Sequence, residues 1–231
     1  LDSDIDEKLV KKISTQDESN LLSKSLNNHG GLFRKHSSSS EILSEVWQCK
    51  VRNSALIFES SYDLPIFTEL SAADLTEIAS AANDSKNLTL ITSILLEYGI
   101  ILIIEPNIEG AKVDGYVSLS PRNRPIIGLS LRFSRYDNFW FTLLHELAHI
   151  VLHRDLLESG FAEELIMDSQ EEKEIEANEL AKTSIIPRHL WRRNEFSINP
   201  NKETLLRFAK KINVHPELIA GRYRNDRHSH D

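Results

Sequence analysis

The chain has 231 residues, of which 40% are hydrophobic and 27% charged, a balance that is ordinary for a folded protein. Its single cysteine excludes an internal disulfide and a cysteine-ligated metal centre, and no apolar run approaches the roughly 20 residues that span a bilayer. We therefore expect a cytoplasmic globular protein.

The formal net charge of −8 is concentrated in one short segment. Nine acids and one base lie between Glu158 and Glu179, which sums to −8, so the other residues are neutral in total. From Pro187 onward, ten basic residues face five acids. An acidic block of this kind is typical of a solvated helix face, although individual carboxylates within it could also have a chemical role.

The N-terminal part has the composition of a connecting segment. Residues 1 to about 60 are rich in acids, serine, asparagine and glycine, with one apolar-periodic stretch at 42–58. We expect residues 1–70 to form a linker with one or two connector helices, and residues 71–231 to form the compact domain. Because the first residue is Leu1 and not methionine, we expect a fragment of a longer product or a processed form.

The compact part begins with helices and continues with short strands. Ser71 and Asp74 have the spacing of a capping box, and the apolar periodicity of 88–98 predicts a helix that ends at Gly99. Strand-like segments follow at 100–104, 113–119 and 125–131. Their close succession predicts a small antiparallel three-stranded sheet in an α+β fold.

The rest of the chain is predicted to be helical. Segment 138–154 is apolar almost all round, as expected of a helix buried in the middle of a domain. Amphipathic helices are predicted at 171–185 and 203–212, and a short helix at 216–223 begins with Pro216.

The buried helix carries the sequence His145-Glu146-Leu147-Ala148-His149. Positions i and i+4 share a helix face, so the two imidazoles can bind one metal ion while Glu146 lies beside them. Ionisable side chains in an apolar helix are costly without partners. The spacing therefore predicts a catalytic zinc site with Glu146 as the general base of peptide-bond hydrolysis.

The third ligand is predicted in the acidic helix. Glu174 follows His149 by 25 residues, and Asn178 lies one turn further on the same face. We prefer Glu174 to Glu176 as the ligand, because Glu174 has this i+4 partner and the two carboxylates lie on different sides of the helix. Asn178 is predicted to orient one imidazole from behind the metal.

Other roles near the metal stay open at the level of sequence. For His153, a packing or orienting role is favoured over ligation. The strand segments 113–119 and 125–131 either present a sheet edge to an extended substrate or serve as scaffold only. Candidates for stabilising the oxyanion are Tyr116, Tyr136, His189, His215 and Tyr223.

Several separated blocks resemble the ImmA/IrrE family of zinc metallopeptidases. They are FWFTLLHELAHIVLH at 139–153, EKEIEANELA at 172–181 and IIP at 185–187, and the likeness extends over roughly 88–224. The resemblance implies a zincin-type, thermolysin-like active-site helix, with one Zn²⁺ or another divalent ion such as Mn²⁺ per chain. It assigns the ligands to His145, His149 and Glu174, and the general base to Glu146.

The resemblance also implies a regulatory role. Members of the family cleave a helix-turn-helix transcriptional repressor in stress, phage or toxin–antitoxin circuits. The subgroup with this pattern often carries an N-terminal XRE-type helix-turn-helix domain, which is not evident here, although 32–35 and 42–58 resemble the connector that follows it. A basic repressor as substrate is also consistent with electrostatic steering by the acidic block.

Two other function classes compete with the enzyme. The segment 204–224 contains five basic residues on two short helices and could form a DNA-binding helix-turn-helix; direct nucleic-acid binding by this fragment is the less favoured interpretation. The basic residues are Arg207, Lys210, Lys211, Arg222 and Arg224. A metal-sensing regulator with latent or no peptidase activity is the other alternative.

Overall fold

The computed structural model of the chain describes residues 39–83, 88–159 and 167–228. The expectations for 1–38, including the connector likeness at 32–35, and for the acids at 160–166 lie outside the described residues. The elements, in chain order, are α1 (Ser39–Ser61), α2 (Ala72–Ser80), a 3-10 turn (Ala81–Asn83), α3 (Leu88–Glu97), β1 (Ile101–Ile104), β2 (Gly115–Leu119), β3 (Pro125–Leu129), α4 (Tyr136–Leu152), α5 (Arg154–Ser159), α6 (Met167–Ile185), α7 (Arg188–Trp191), α8 (Glu195–Ile198), α9 (Lys202–Ile212) and α10 (Pro216–His228).

The sheet is mixed, so the antiparallel arrangement predicted from the sequence is wrong. The strand order is β1-β3-β2, with β3 parallel to β1 and antiparallel to β2. All five residues of β3 are buried, which suits the central position, whereas β2 is only half-buried and forms an edge. The ten residues between β1 and β2 are enough to carry the chain past β3. The α+β class itself is confirmed.

Helix α1 covers one face of this sheet. Trp47, Val51 and Ala55 recur every fourth residue, and all three side chains are fully buried. They pack against a layer of β-branched and small residues from the sheet and its loops: Ile101, Ile103, Ala111, Val113 and Ile126. The Trp47 indole N–H donates to the backbone carbonyl of Glu105 at 3.1 Å and ties α1 to the end of β1.

The other face of the sheet packs on the helical core. The predicted capping box is confirmed, because the Ser71 backbone N–H donates to Asp74 Oδ2 at 2.7 Å and the Asp74 N–H to Ser71 Oγ at 3.3 Å. Helix α3 ends at Glu97, and Gly99 then takes a φ of 74°, the left-handed conformation for which glycine is suited. Apolar residues of α2 and α3 join Ile127 and Leu129 of β3 in one cluster.

Helix α4 lies at the centre of this cluster. Leu143, Leu144, Leu147 and Ala148 have no exposed surface, and the helix contacts β2, β3, α2, α6 and α10. It ends before His153, whose φ of −129° leaves the helical region. The sequence-based bounds of this helix are right to within two residues at each end.

Helix α6 lies along α4, with the small residues Ala177 and Ala181 buried in the contact. Beyond it, α7 to α10 enclose a third cluster that contains Ile186, Phe196, Phe208 and Ile219. The short helices α5, α7 and α8 have six or fewer residues, which is too few to show a periodic pattern in the sequence. Among the described residues, no helix combines the length and apolarity needed to cross a membrane.

Candidate metal centre and active-site cleft

Three predicted metal ligands converge where α4 meets α6. Donor atoms of His145, His149 and Glu174 lie within 4.8 Å of one another. His145 Nε2 is 3.0 Å from His149 Nε2 and 3.1 Å from Glu174 Oε2, and His149 Nε2 is 3.4 Å from Glu174 Oε1. The two imidazoles are one turn apart on α4, and α6 supplies the carboxylate opposite them.

Asn178 determines which nitrogen of His145 faces this cluster. Its Oδ1 lies 3.1 Å from His145 Nδ1. An amide oxygen only accepts hydrogen bonds, so His145 Nδ1 carries the proton and Nε2 presents a lone pair to the cluster. Asn178 therefore lies where the sequence predicts it, one turn after Glu174 and behind one of the ligands.

A chain of two further side chains orients His149. His153 Nε2 is 3.0 Å from Glu176 Oε2, and His153 Nδ1 is 3.0 Å from His149 Nδ1. The Glu176 carboxylate accepts a hydrogen bond from His153 Nε2–H, so His153 Nδ1 accepts a hydrogen bond from the Nδ1–H group of His149. The Nε2 atom of His149 then also presents a lone pair to the cluster. His153 is buried, and Glu176 is bound to it and not to the three donor atoms.

The donor set fits a zinc ion. Two imidazole lone pairs that face each other at 3.0 Å repel unless a cation lies between them. Ligand atoms about 2.0–2.1 Å from a tetrahedral zinc are about 3.3 Å apart, close to the spacings of these atoms. Two histidines and one carboxylate are also a ligand set that catalytic zinc uses when it keeps a fourth position open.

The electrostatics of the cluster favour positive charge. Burial lowers the pKa of His145, but its hydrogen bond with Glu174 and the nearby carboxylates outweigh burial and raise it. Where the Nε2 atoms of His145 and His149 carry protons, their hydrogen bonds to Glu174 hold the pKa of that carboxyl well below its ordinary value. Both shifts show that positive charge is favoured where these side chains meet.

Glu146, the predicted general base, is buried next to the cluster. Only 7% of its surface is exposed, and this burial raises its pKa to about 7, with the Glu174 charge acting in the same direction and His145 opposing it. A carboxyl with a pKa in this range can take up and release a proton near neutral pH.

Gly115 is a residue of the site that the sequence analysis did not assign. A methyl group at this position would lie 2.6 Å from Thr142 Cγ2 and 2.9 Å from Glu146 Cδ, with Glu146 Oε1 closer still. A side chain at this first residue of β2 would therefore displace Glu146 or Thr142, and glycine lets the strand approach the Glu146 carboxylate. A glycine in a strand signals a close approach in general terms, but the sequence does not say to what.

The cluster opens into a cleft of about 870 Å³. Residues 112–117, at the start of β2, form one wall, and α4, α6 and α10 form the other walls. Because β2 is the edge of the sheet, its outer backbone groups lie along this cleft. Of the two strand segments considered as a substrate edge, 113–119 lies on the cleft, whereas β3 is in the centre of the sheet.

The candidates for oxyanion stabilisation do not converge on the metal ligands. Tyr116 packs on the α1 side, where Arg52 donates to its hydroxyl at 2.8 Å. Tyr136 donates to the Ala82 carbonyl at 2.5 Å, and its ring contacts that of His215. Tyr223 packs on the Phe196 ring, and His189 is exposed on α7. Only Tyr116 borders the cleft.

Comparison with known protein families matches residues 96–224 to the Peptidase_M78 model, described as an IrrE N-terminal-like domain. The matched part is more than half of the chain. The chain belongs to the Peptidase_M78 family. The likeness seen in the sequence is thereby confirmed, and a peptidase-type fold is established for this region. A comparison with the curated proteins finds no match.

The Peptidase_M78 region contains the whole donor cluster and all the residues that line the cleft except Gln48 of α1 and Asn225. His145, Glu146 and His149 come from its central helix α4, and Glu174 and Asn178 from α6. Helices α1 and α2 precede it, and Gln48 of α1 borders the cleft from outside the matched range.

Two arginines of the candidate DNA-binding segment have partners within the Peptidase_M78 region. Arg222 donates to the backbone carbonyls of Lys182 and Ile186 at 2.9 and 2.6 Å and so caps the end of α6. Arg224 donates to Asp137 Oδ2 at 3.0 Å. Helix α10, which would be the recognition helix, packs against α4. These contacts favour a structural role of the helix pair over nucleic-acid binding.

Proposed function

We propose that this chain is a zinc-dependent endopeptidase, with His145, His149 and Glu174 as the metal ligands and Glu146 as the general base. The observation that carries the proposal is the convergence of two imidazole lone pairs and one carboxylate at 3.0–3.4 Å, beside a buried fourth side chain. The match to a peptidase family over 96–224 supports the reaction class.

The roles of the residues follow from their positions. A zinc ion held by His145, His149 and Glu174 would supply a Lewis acid that activates water and polarises the scissile carbonyl. Glu146 takes the proton from the attacking water and delivers it to the nitrogen of the leaving amine. The same carboxylate therefore both removes and returns the proton. Asn178 and His153 keep the two imidazoles in the tautomer that binds metal. Gly115 leaves room for the Glu146 carboxylate.

We further propose that the substrate is a regulatory protein, a helix-turn-helix repressor with a basic surface, in a stress, phage or toxin–antitoxin circuit. Two observations support this substrate class. The family resemblance points to regulators of this kind, and α6 carries the exposed acids Glu171, Glu172 and Glu176 next to the ligand Glu174. An acidic surface beside the cleft raises the local concentration of a basic partner.

The test replaces the general base and keeps the ligands. Glu146→Gln is expected to retain one zinc per chain, measured by metal analysis, and to lose cleavage of unstructured peptides by a factor of at least about 10³. Glu203→Gln, on the exposed surface of α9 outside the cleft, is the matched control and is expected to cleave normally. Retained cleavage by Glu146→Gln would rule out its role as base. A zinc-bound wild type that cleaves nothing would favour the metal-sensing alternative.

A further inference from the structure

The cleft has a second polar region, at the N-terminal end of α4. Asp137 is nearly buried there and accepts from Arg135 Nε at 3.0 Å and from Arg224 Nη2 at 3.0 Å, and a further N–H of Arg135 also donates to it. The two guanidinium groups therefore meet on one carboxylate. Gly221 makes this meeting possible, because any side chain at its position in α10 would collide with Asp137.

The arginines have hydrogen-bonding capacity left over. A guanidinium has five N–H donors, of which Asp137 takes two from Arg135 and one from Arg224. About half of each arginine side chain is exposed, 54% for Arg135 and 50% for Arg224, and both line the cleft. Asp137 itself is held in place and nearly covered, so it orients the arginines without occupying the space in front of them.

The net charge of this end of the cleft is positive. Arg135 and Arg224 carry two positive charges against the one carboxylate that they share, Asp137, and the exposed Lys112 also lines the cleft. The other acid nearby, Asp114, is already paired with Arg132 at 2.9 Å. This surplus of cations contrasts with the acidic surface of α6 and with the charge of −8 of the whole chain. A bound peptide segment would contact these surplus positive charges only inside the cleft.

The distance between these arginines and the metal ligands predicts which residue of a bound peptide contacts the arginines. Asp137 precedes His145 by eight residues of one helix, about 12 Å along its axis. An extended peptide advances about 3.3 Å per residue, so three or four residues span that distance. Gly115 lies beside Glu146, and Leu119 lines a small cavity together with Leu157 of α5, the helix that follows α4, so β2 runs in the same sense as α4. A peptide paired antiparallel with β2 directs its C-terminal side towards Arg135.

We propose that Arg135 and Arg224 form a carboxylate-binding subsite that selects substrates with a negative charge three or four residues after the scissile bond. The carboxylate is either an Asp or Glu side chain or the C-terminus of the substrate. The inference rests on the proposed peptidase function, whose substrate segment it specifies. It is compatible with a basic substrate protein, because α6 acts on the approach of the whole partner and the subsite acts on one residue in the cleft.

The first test measures binding, so that it does not depend on turnover. The probes are fluorescein-labelled pools of random dodecapeptides built from uncharged residues. One pool has a fixed Glu near the C-terminal end, the second has Gln at that position, both with amidated ends, and a third has Gln and a free C-terminal carboxylate. Fluorescence anisotropy with zinc-loaded Glu146→Gln protein is expected to show about fivefold tighter binding of a carboxylate pool than of the Gln amide pool.

Substitution of each arginine tests whether the carboxylate preference depends on Arg135 and Arg224. Arg224→Gln and, separately, Arg135→Gln are expected to reduce the preference to less than about twofold. Arg207→Gln is the matched control, because Arg207 is also half-exposed and ion-paired with acids but lies on α9 outside the cleft. Thermal unfolding identifies any variant that fails to fold. Preference for the Glu pool places the carboxylate on a side chain, and preference for the third pool places it at the C-terminus.

A second readout separates this inference from the proposed function. Wild-type zinc-loaded protein is incubated with the same pools, and the products are sequenced by mass spectrometry. Cleavage three or four residues before the carboxylate is the expected result. Equal binding and cleavage of all pools would overturn the subsite and leave the peptidase in place. Carboxylate preference in binding without any cleavage would overturn the peptidase and leave the subsite in place.

Discussion

His149 and His153 are one helical turn apart, and their different hydrogen-bonding partners give them different roles. His149 points its Nε2 atom at His145 and Glu174, whereas both ring nitrogens of His153 are occupied by His149 and Glu176. A histidine whose two nitrogens already have hydrogen-bonding partners cannot also bind a metal. The same pairing explains why, of Glu174 and Glu176 on α6, Glu174 is the proposed ligand and Glu176 holds His153 in place.

Zinc affinity should therefore respond differently to the loss of these two acids. Glu174→Ala removes a proposed ligand and is expected to abolish stoichiometric zinc binding. Glu176→Ala releases only the orientation of His153 and His149, and is expected to weaken zinc affinity by about 10- to 100-fold. Competition with a chromophoric chelator measures both affinities. Glu171→Ala, exposed on the same helix, is the control. Loss of zinc in Glu176→Ala alone would reverse the assignment.

Gly115→Ala tests the close approach of β2 to the general base. The added methyl group overlaps Glu146 Oε1 and Thr142, so the Glu146 carboxylate has to move. We expect a fall in kcat/KM of at least about tenfold with zinc content unchanged, because the ligands do not contact Gly115. Ser118→Ala, three residues further along β2, is the control. Ala148→Gly is unsuitable as a control because Ala148 is buried in α4. Normal kinetics in Gly115→Ala would show that Glu146 tolerates displacement.

At the scale of elements, the long helices and the strands could be predicted because each has a repeating pattern. The apolar character of α4 predicts its bounds to within two residues, and the spacing of Ser71 and Asp74 predicts the capping box of α2. The same reasoning placed His145, His149 and Glu174 near one another, because helical spacing and the family likeness agree.

The strand order and the polar groups behind the site could not be predicted in the same way. Alternation within a strand says which side chains share a face, but it does not say which strand is its neighbour. The antiparallel sheet was therefore an inference from short links, and the parallel pairing of β1 with β3 depends on tertiary packing. Asp137 and Arg224 are 87 residues apart, and nothing local in the sequence marks them as partners.

The contact between α4 and α10 should contribute less to the stability of the fold at acidic pH. Burial raises the pKa of Asp137, but the hydrogen bonds from Arg135 and Arg224 outweigh burial and lower it below its ordinary value. A carboxyl whose pKa is lower in the folded state stabilises the fold fully above its unfolded value of about 3.9. That stabilisation is lost as the pH falls through the folded-state pKa.

The measurement is urea unfolding of the wild type and Asp137→Asn at several pH values. Above about pH 5 we expect the variant to be less stable by about 1 kcal/mol, because its arginine partners are half-exposed and the pair is partly screened. Below about pH 4 the difference should shrink, since the wild-type carboxyl is then increasingly protonated. A difference that stays constant down to pH 3 would show that the charge of Asp137 is not what holds α10.

At the scale of the whole molecule, charge is separated between an outer surface and an inner one. The exposed acids of α6 face solvent beside the metal ligands, and the surplus of cations lies at the far end of the cleft. Long-range attraction depends on the outer charges, which salt screens strongly, and the contacts inside the cleft are screened less.

Association with a basic substrate should therefore weaken as salt rises. For a peptide with several lysines and arginines, we expect kcat/KM to fall by about threefold to tenfold between 0.05 and 0.5 M NaCl. An uncharged peptide should show little change. Glu171→Gln combined with Glu172→Gln should flatten the dependence for the basic peptide without altering zinc content. An equal response of the basic and uncharged peptides would contradict steering by α6.

The edge position of β2 places a condition on the conformation of any target. A segment can add to this edge only if its own backbone N–H and C=O groups are unpaired, and in a helix or an internal strand they are already paired. Residues within a folded domain must first open locally, and that opening costs free energy that differs from one region to another. Susceptibility to cleavage would thus be governed by the target's own local stability as much as by its sequence. Interdomain hinges and frayed termini are the places where a single cut becomes accessible.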